Sequence, residues 1–305
     1  LDTQKAAALS LYSLFVAVIV LLLYSFFQRK EKAIEAMGVS RAKITRKTTT
    51  VLQVLGVIVY ILASLLFILC PIVSIVVRSF LGNATRSASL TFSTEVYSKL
   101  FSIGGSSIPA IINSLLIGIG SALLGTDCAL RLSTLATKSK GKFGDVLIML
   151  PMATSSIIVG FSYFVISKYM SFIPSVILIL LAHMIITIPF ISRTILPVYR
   201  KIPSNLTKAS RTLGFTERQT FYNIERPLLR PSIFTGMAFA FALSIGELNA
   251  TMVAGLTRTT TIPIQIYRLI ASYNYQGACA LGVILIAISF LVFIVCESLK
   301  RNTHV

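Results

Sequence analysis

Residues 51–77 read VLQVLGVIVYILASLLFILCPIVSIVV, a run of 27 residues without a charged side chain. An α-helix rises about 1.5 Å per residue, so about 20 apolar residues cross a hydrocarbon core about 30 Å thick. Six further stretches are long and apolar enough to span in the same way: Ala6–Gln28, Ile108–Thr126, Val146–Ser167, Tyr169–Ser192, Pro231–Thr257 and Leu269–Cys296. The sequence therefore predicts an all-α polytopic membrane protein with about seven spans.

The composition excludes a soluble protein. Hydrophobic residues make up 55% of the 305 residues and charged residues only 12%, whereas soluble domains carry about 25% charged residues. Several spans contain proline, and we expect Pro71, Pro151, Pro174 and Pro189 to kink their helices rather than end them. Neighbouring helices can supply the hydrogen bonds that proline removes.

A net charge of +18 is also a feature of proteins that bind nucleic acid, so the placement of the basic residues decides its meaning. One set of alternate loops (28–50, 131–143, 199–230 and 298–305) holds 20 Lys and Arg, and the opposite set holds seven. Cytoplasmic loops of membrane proteins carry this excess of basic residues. The asymmetry predicts an N-terminus outside and a C-terminus in the cytoplasm, and it leaves no support for binding nucleic acid.

Nothing in the sequence indicates catalysis or a metal site. The four cysteines are scattered in apolar runs without a CxxC spacing, so they predict neither a metal centre nor a disulfide framework. No Ser/His/Asp or Cys/His set converges along the chain. His183 lies in the middle of a span, where a hydrogen bond between helices is the commoner role for a lone histidine. We therefore expect that the protein is not an enzyme.

A weak internal repeat suggests how the chain is organised. Residues 4–9 and 276–281 align, and each segment opens an apolar span that ends in basic residues. The repeat predicts that residues 1–30 are the last helix of a preceding, truncated half. Residues 31–50 would be a basic cytoplasmic linker, and residues 51–305 a complete six-helix half. Duplicated halves are common in transporters.

The longest cytoplasmic loop, residues 199–230, carries clear helix start and stop signals. Pro203 and the residues after it can start a short helix, and Gly214 can end it in a left-handed turn. Thr216 can cap a second helix, which we expect Pro227 and Pro231 to stop. The loop is predicted to be a tightly turned helical pair that is suited to docking on a partner.

This loop resembles the EAA loop of ATP-binding-cassette (ABC) importer permeases. The family pattern is Glu-Ala-Ala, three residues, Gly, nine residues, Ile, one residue, Leu-Pro. Four residues match it at the full spacing: Ala209, Gly214, Ile224 and Pro227. Three residues depart from it, with Lys208 in place of Glu, Ser210 in place of Ala and Arg226 in place of Leu. The resemblance extends over about residues 51–305, including Asn113-Ser114 and residues 235–250.

The resemblance implies a fold, partners and a cellular location. The fold would be the transmembrane domain of a type I ABC importer in the bacterial inner membrane. The loop would form the coupling helix that sits in a groove of a cytoplasmic ABC ATPase dimer. ATP would be bound by that ATPase, and this chain would bind no cofactor. Further partners would be a periplasmic or lipid-anchored substrate-binding protein, a second permease half and the lipid bilayer.

The solute is less well determined by the sequence. The duplicated layout and residues 261–268 look most like the thiamine permeases, with ferric-iron permeases as close relatives. Thiamine or its phosphates rank first, iron second and other small solutes third. A secondary transporter is the alternative from a different class. It should show more charged residues within its spans for ion coupling, and Glu247 is the only acidic residue well inside one.

Glu247 and the nearby Asn249 are the candidate pathway residues. A carboxylate facing lipid in the middle of a span would cost several kcal/mol, so Glu247 should face the pathway or a polar partner on another helix. Two interpretations follow. Glu247 could be a gate or transient site that favours a cationic solute, or it could be a buried polar clamp between helices.

Overall fold

The structure is a computed structural model that describes residues 51–81, 92–102, 107–138, 143–170, 172–254 and 259–301, and ten positions between 8 and 20. The predicted linker 31–50 lies outside the described residues, as does most of the predicted first span, Ala6–Gln28.

The described chain is α-helical, and its helices follow one another with short connections. In chain order they are α1 (Val51–Phe80), α2 (Glu95–Leu100), α3 (Ser107–Lys138), α4 (Phe143–Ala153), α5 (Ser156–Tyr169), α6 (Ser175–Tyr199), α7 (Ser204–Thr212), α8 (Glu217–Thr220), α9 (Arg226–Ile245), α10 (Asn249–Val253), α11 (Ile262–Ala271) and α12 (Tyr275–Arg301). A π-helical turn, Phe221–Glu225, joins α8 to α9.

Five helical segments among the described residues are long and apolar enough to cross a membrane. They are α1, α3, α6, the continuous stretch Glu217–Ile245 and α12. The pair α4 and α5 makes a sixth span if it crosses as one bent unit. The predicted all-α polytopic fold is confirmed.

The core of the bundle lies between α3, α6 and α9, which contact one another extensively. α12 packs on α9 from one side, and α1 reaches the bundle through α12. The central helices bury one face each, represented by Ile117, Ile191 and Phe241. α1 buries little of its surface in this chain. The central helices α3, α6 and α9 therefore support the loops and short helices at the two ends of the bundle.

The prediction that proline kinks but does not break its helix is wrong at two positions. The chain bends by 87° between α4 and α5, just after Pro151. Thr154 bonds back to the Pro151 carbonyl through both its backbone N–H and its hydroxyl, and Ser155 caps α5 by accepting the N–H of Ile157. These side chains satisfy the groups that the break exposes. Pro174 immediately precedes α6 and is its N-cap, whereas Pro71 and Pro189 do lie inside continuous helices.

Three predicted boundaries also differ from the structure. The stretch 131–143, expected to be a loop, continues α3 as helix through Lys138. The predicted span Pro231–Thr257 is interrupted after Ile245, and the predicted span Leu269–Cys296 becomes α11, a turn and α12. At that turn Tyr273 has φ of 60°, and the Asn274 side chain accepts the N–H of Gly277 at 3.0 Å. A polar cap at each break replaces hydrogen bonds that a continuous helix would make.

Candidate functional site

The loop 199–230 folds as the helical pair that its sequence predicts. α7 begins directly after Pro203 and ends at Thr212, and Gly214 takes the left-handed conformation with φ of +83°. The N–H of Phe215 donates to the Ser210 carbonyl and the N–H of Gly214 to the Arg211 carbonyl, each at 3.0 Å. These two bonds form a Schellman motif, which reverses the chain at a position that favours glycine.

The second helix of the pair starts with a capping box. The Thr216 hydroxyl accepts the N–H of Gln219, and the Gln219 side chain accepts the N–H of Thr216 at 2.9 Å. The prediction that Pro227 and Pro231 stop this helix is wrong, because it continues through the π turn into α9. In that turn the N–H of Arg226 reaches the Phe221 carbonyl, which gives the wider hydrogen-bonding pattern of a π turn just before Pro227.

The residues of the predicted EAA-type motif divide between outer surface and packing. Lys208 and Ala209 are exposed on α7, and Gly214 is exposed in the turn. Ser210 is buried, and its hydroxyl bonds the Thr220 hydroxyl at 2.8 Å. Ile224 and Pro227 are half-buried. The serine that replaces alanine in the family pattern therefore joins the two helices of the pair.

A buried carboxylate that no sequence pattern indicated anchors the pair to the bundle. Glu225 is 7% exposed, and it accepts the hydroxyl of Tyr199 at the end of α6 at 2.5 Å. Both residues line a cavity of about 470 Å³ between α7 and the ends of α3 and α6. The sequence carries one indirect signal for this pair. Tyr199 and Glu225 lie 26 residues apart, near the two ends of a loop that turns back on itself.

The second candidate site lies where α9 is interrupted, and it corrects the predicted position of Glu247. Glu247 is two residues beyond the end of α9 rather than inside a continuous span. Its carboxylate accepts the backbone N–H of Ala250 at 3.0 Å, at the start of α10. The side chain thus replaces the carbonyl of Gly246 that this N–H would meet in an unbroken helix. Glu247 is half-buried, and Asn249 is exposed.

His183 joins this break to the core of the bundle. Its Nδ1 lies 2.8 Å from the Ser244 hydroxyl, and its Nε2 lies 2.9 Å from the Thr251 hydroxyl. Ser121 of α3 donates to Ser244 at 2.8 Å. The four side chains are at most 4% exposed. We call them the His183 chain, and the prediction that His183 is a hydrogen-bonder between helices is confirmed.

Donors and acceptors in the His183 chain can be assigned so that every hydrogen bond points the same way along it. The Thr251 hydroxyl donates to the Glu247 carbonyl at 3.4 Å, so it accepts from Nε2–H of His183. Nδ1 is then the acceptor for the Ser244 hydroxyl. Hydrogen bonds therefore run from α3 through α9 and α6 to the break beside Glu247. Sequence could not have shown this, because His183 lies 61 and 68 residues from its two partners.

A further pair of hydrogen bonds connects the segment before α11 to α3. Asn113 donates to the Thr260 carbonyl at 3.0 Å, and the N–H of Ile262 donates to the Ser114 hydroxyl at 2.8 Å. The short helix α10 packs closely on α5, where a Cβ at Gly160 would collide with the Ala250 carbonyl oxygen. The Asn-Ser pair identified in the sequence thus positions the backbone of this segment.

Titratable side chains do not converge into a metal site in the part of the chain that the structure describes. No group of three or more His, Cys, Asp or Glu that could hold a metal ion occurs there. The two candidate sites are therefore an exposed helical pair at one end of the bundle and a polar-lined helix break within it.

Comparison with known proteins places this architecture among transporters. The sequence profile of the family described as "Binding-protein-dependent transport system inner membrane component" matches residues 129–304, more than half of the chain. The match includes α6 to α12, and hence both candidate sites.

Several curated relatives are similar over part or most of the chain. The probable sulfate transport system permease protein cysT of Chlorokybus atmophyticus is 34% identical over 37% of this chain, and the match spans 41% of that relative's length. The sulfate transport system permease protein CysT of Synechocystis is 24% identical over 80% of this chain and 88% of its own. The putative 2-aminoethylphosphonate transport system permease protein PhnV of Salmonella typhimurium is 26% identical over 65% of this chain and 77% of its own.

Solved structures show the same fold. A chain of a bacterial ABC transporter involved in the import of the acidic polysaccharide alginate superposes with a TM-score of 0.64 at 18% identity, covering 82% of this chain and 95% of that one. A second structure of the bacterial alginate ABC transporter, in complex with an alginate pentasaccharide-bound periplasmic protein, gives a TM-score of 0.63 at 17% identity. At this identity the likeness concerns the fold alone.

Proposed function

Because the chain belongs to the family of binding-protein-dependent transport system inner membrane components, we propose that it forms the membrane pathway of an ATP-driven importer. The helical pair at loop 199–230 carries the proposal. Residues 211–219 of the pair are all exposed. Ser210 and Thr220 join its two helices, and Glu225 ties the pair to α6 through the Tyr199 hydroxyl. A partner that moved α7 would therefore move α6 and α9 with it.

The partners follow from this role. An ABC ATPase dimer would dock on α7 from the cytoplasm, bind ATP and drive a rocking motion of the spans. A substrate-binding protein would deliver the solute at the opposite face of the inner membrane. A second permease half would complete the pathway. The N-terminus of residues 1–305 would then lie outside and the C-terminus in the cytoplasm, as the basic residues predict.

A small oxyanion or phosphonate is the solute class that we favour. The relatives described above are named for sulfate and 2-aminoethylphosphonate, so their names give no support to the ranking of thiamine first and ferric iron second. The position of Glu247 also bears on this choice. Its carboxylate caps the start of α10, three residues further along the chain, which supports a structural role over a gate for a cationic solute.

The experiment that tests the proposal is reconstitution. We expect the full chain in proteoliposomes, with its ATPase and binding protein, to hydrolyse ATP faster when the transported solute is present. Sulfate, 2-aminoethylphosphonate, thiamine and ferric iron would be added separately, and phosphate release would be measured. A liposome set without the binding protein is the control. Uptake that continues without ATP and stops when a proton gradient is collapsed would contradict the proposal and favour a secondary transporter.

Substitution of Glu247 separates the two solute classes. We expect Glu247→Gln to keep near wild-type transport and thermal stability, because the amide oxygen can still accept the N–H of Ala250. Glu247→Leu removes that acceptor, and we expect it to lower the free energy of unfolding by about 1 kcal/mol, as for loss of a helix cap. Both variants would be assayed for uptake and thermal unfolding.

The opposite result for Glu247→Gln would also be informative. Transport reduced tenfold or more at unchanged thermal stability would mean that the negative charge acts on the solute. That result would contradict the clamp interpretation and favour a cationic solute such as thiamine or ferric iron.

A further inference from the structure

The cavity between α7 and the ends of α3 and α6 is lined mainly by polar and charged side chains. Its volume of about 470 Å³ lies within the range of small-molecule sites, about 300–1,000 Å³. All three helices contribute hydroxyl groups to it: Thr137, Tyr199, Ser204 and Thr207. The cavity is therefore large enough for a small polar ligand and carries hydrogen-bonding groups for it.

Positive charge exceeds negative charge among the residues that line this cavity. Lys138, Lys208 and Arg211 are the cations, and Glu217 and Glu225 are the carboxylates. Glu225 is buried and already accepts a tyrosine hydroxyl of α6. Lys208 decides the balance, because glutamate, the residue of the EAA pattern at this position, would leave two cations against three carboxylates. The lining of this chain therefore favours an anionic ligand.

One carboxylate oxygen already marks the position of an anion at the cavity. Oε1 of Glu217 lies 2.9 Å from Nη2 of Arg211 and 3.6 Å from Nζ of Lys138. Arg211 belongs to α7 and Lys138 ends α3, so two helices distant in sequence direct their cations at one oxygen atom. An anion with several charged oxygens can meet both cations, and a guanidinium can hold two such oxygens at once.

The Glu217 side chain can be displaced from that position at little cost. The side chains of Glu217, Arg211 and Lys138 are 65%, 57% and 45% exposed, and exposed ion pairs contribute little to stability. The start of α8 is capped by Thr216 and Gln219 rather than by the Glu217 carboxylate. Movement of this carboxylate therefore leaves the helical pair intact.

We propose that this cavity is a cytoplasmic binding site for a small tetrahedral oxyanion (sulfate, phosphate or a phosphonate), which displaces Glu217 from Arg211 and Lys138. The cytoplasmic location and the consequence for transport rest on the function proposed above. An imported oxyanion that accumulates in the cytoplasm fills the site and links α3 to α7. It thereby stabilises one arrangement of α7 and slows the motion that couples ATP hydrolysis to transport.

The first test measures binding of sulfate and phosphate to the full chain in nanodiscs of uncharged lipid, without the ATPase. Titration calorimetry at constant ionic strength would give Kd, with chloride as the reference anion. We expect Lys138→Met, Arg211→Met and Lys208→Glu each to raise Kd about tenfold, the equivalent of one lost charged contact. Glu217→Gln should lower Kd about threefold, because the competing carboxylate is gone. Thermal unfolding would show that each variant is folded.

Asp127 and Arg131 supply matched controls. They form an exposed ion pair on α3 at 2.8 Å, and neither is among the residues that line the cavity. Asp127→Asn changes the net charge as Glu217→Gln does, and Arg131→Met changes it as Lys138→Met does. Both controls should leave the Kd for sulfate unchanged. Control variants that shift Kd as much as the cavity variants would show that overall charge attracts the anion, and the inference would be overturned.

The remaining outcomes separate the site from its source of ligand and from its role. Absence of binding at millimolar sulfate and phosphate overturns the inference, whereas solute-stimulated ATP hydrolysis in the reconstituted importer would still support the proposed function. If phosphatidylglycerol in the nanodiscs abolishes sulfate binding, a lipid headgroup is the occupant and the free oxyanion is excluded. Sulfate on the cytoplasmic side should inhibit ATP hydrolysis by the wild-type importer but not by Lys138→Met. Binding without this inhibition would overturn the regulatory role.

Discussion

Replacing Gly214 by valine should weaken binding of the ATPase at least tenfold while the chain still inserts into the membrane. Gly214 has φ of +83°, a conformation that costs a residue with a Cβ about 1–2 kcal/mol. Among the described residues, no heavy atom beyond the two adjoining residues lies within 4 Å of the place where a Cβ would stand, so the cost is conformational and not a clash with a packed neighbour. Relief of the strain requires the turn to open, which breaks both hydrogen bonds of the Schellman motif and redirects α7.

A loss of 1.4 kcal/mol corresponds to a tenfold change in Kd, and this sets the expected size of the effect. Gly214→Asn is the matched control, because asparagine adopts the left-handed conformation far more readily than valine. It should bind the ATPase within about threefold of the wild-type chain. Membrane insertion and thermal unfolding would be measured for both variants. Wild-type affinity in Gly214→Val would exclude the loop as the docking site.

His183→Leu should destabilise the chain and remove the stimulation of ATP hydrolysis by solute. The substitution leaves the hydroxyls of Ser244 and Thr251 without their histidine partner in a region that is almost fully buried. Each buried polar group that loses its partner costs about 1–3 kcal/mol. We also expect α10 to lose its registration against α6, because the His183 chain holds the two together. Thermal unfolding in detergent and ATP hydrolysis in proteoliposomes would measure the two effects.

Two further variants show whether the effect comes from the hydrogen bonds of the His183 chain or from the loss of any polar side chain. Thr251→Val removes the bond at the α10 end alone and should give an intermediate result. Ser162→Ala is the matched control, since Ser162 is exposed and bonds only the Ile158 carbonyl of its own helix. It should leave unfolding and activity unchanged. A His183→Leu chain with wild-type unfolding temperature and wild-type stimulation would show that the hydrogen bonds contribute nothing.

The features of loop 199–230 that could be predicted are those fixed by neighbouring residues. Pro203 precedes α7, Gly214 ends it, and Thr216 caps the next helix, each as the sequence indicates. Local backbone preferences decide these positions, and they act over three or four residues. The continuation through Pro227 was not predicted, because the π turn that precedes it depends on packing of the whole segment against the bundle.

Hydropathy could predict neither the helix breaks nor the hydrogen bonds of the His183 chain. Apolar residues flank Thr154-Ser155 and Gly246 on both sides. The mean hydropathy of each stretch is therefore that of an uninterrupted span. Their ends depend on polar side chains that replace backbone hydrogen bonds, such as Ser155 for α5 and Glu247 for α10. The partners of His183 come from helices distant in sequence, and periodicity carries no information about which of them meet. Residues close in sequence thus determine where a turn begins. Packing between distant helices determines which polar side chains form hydrogen bonds at that turn.

The bonds from Asn113 and Ser114 to residues 260–262 set a time order for biogenesis. The bonded residues are 147 and 148 positions apart in the chain. At about 5–20 residues per second the ribosome needs about 7–30 s to make the intervening chain. During that interval α3 can already be in the membrane, but its amide and hydroxyl lack the backbone groups that they bind in the finished fold. Closure of the bundle is therefore a late event that waits for the segment just before α11.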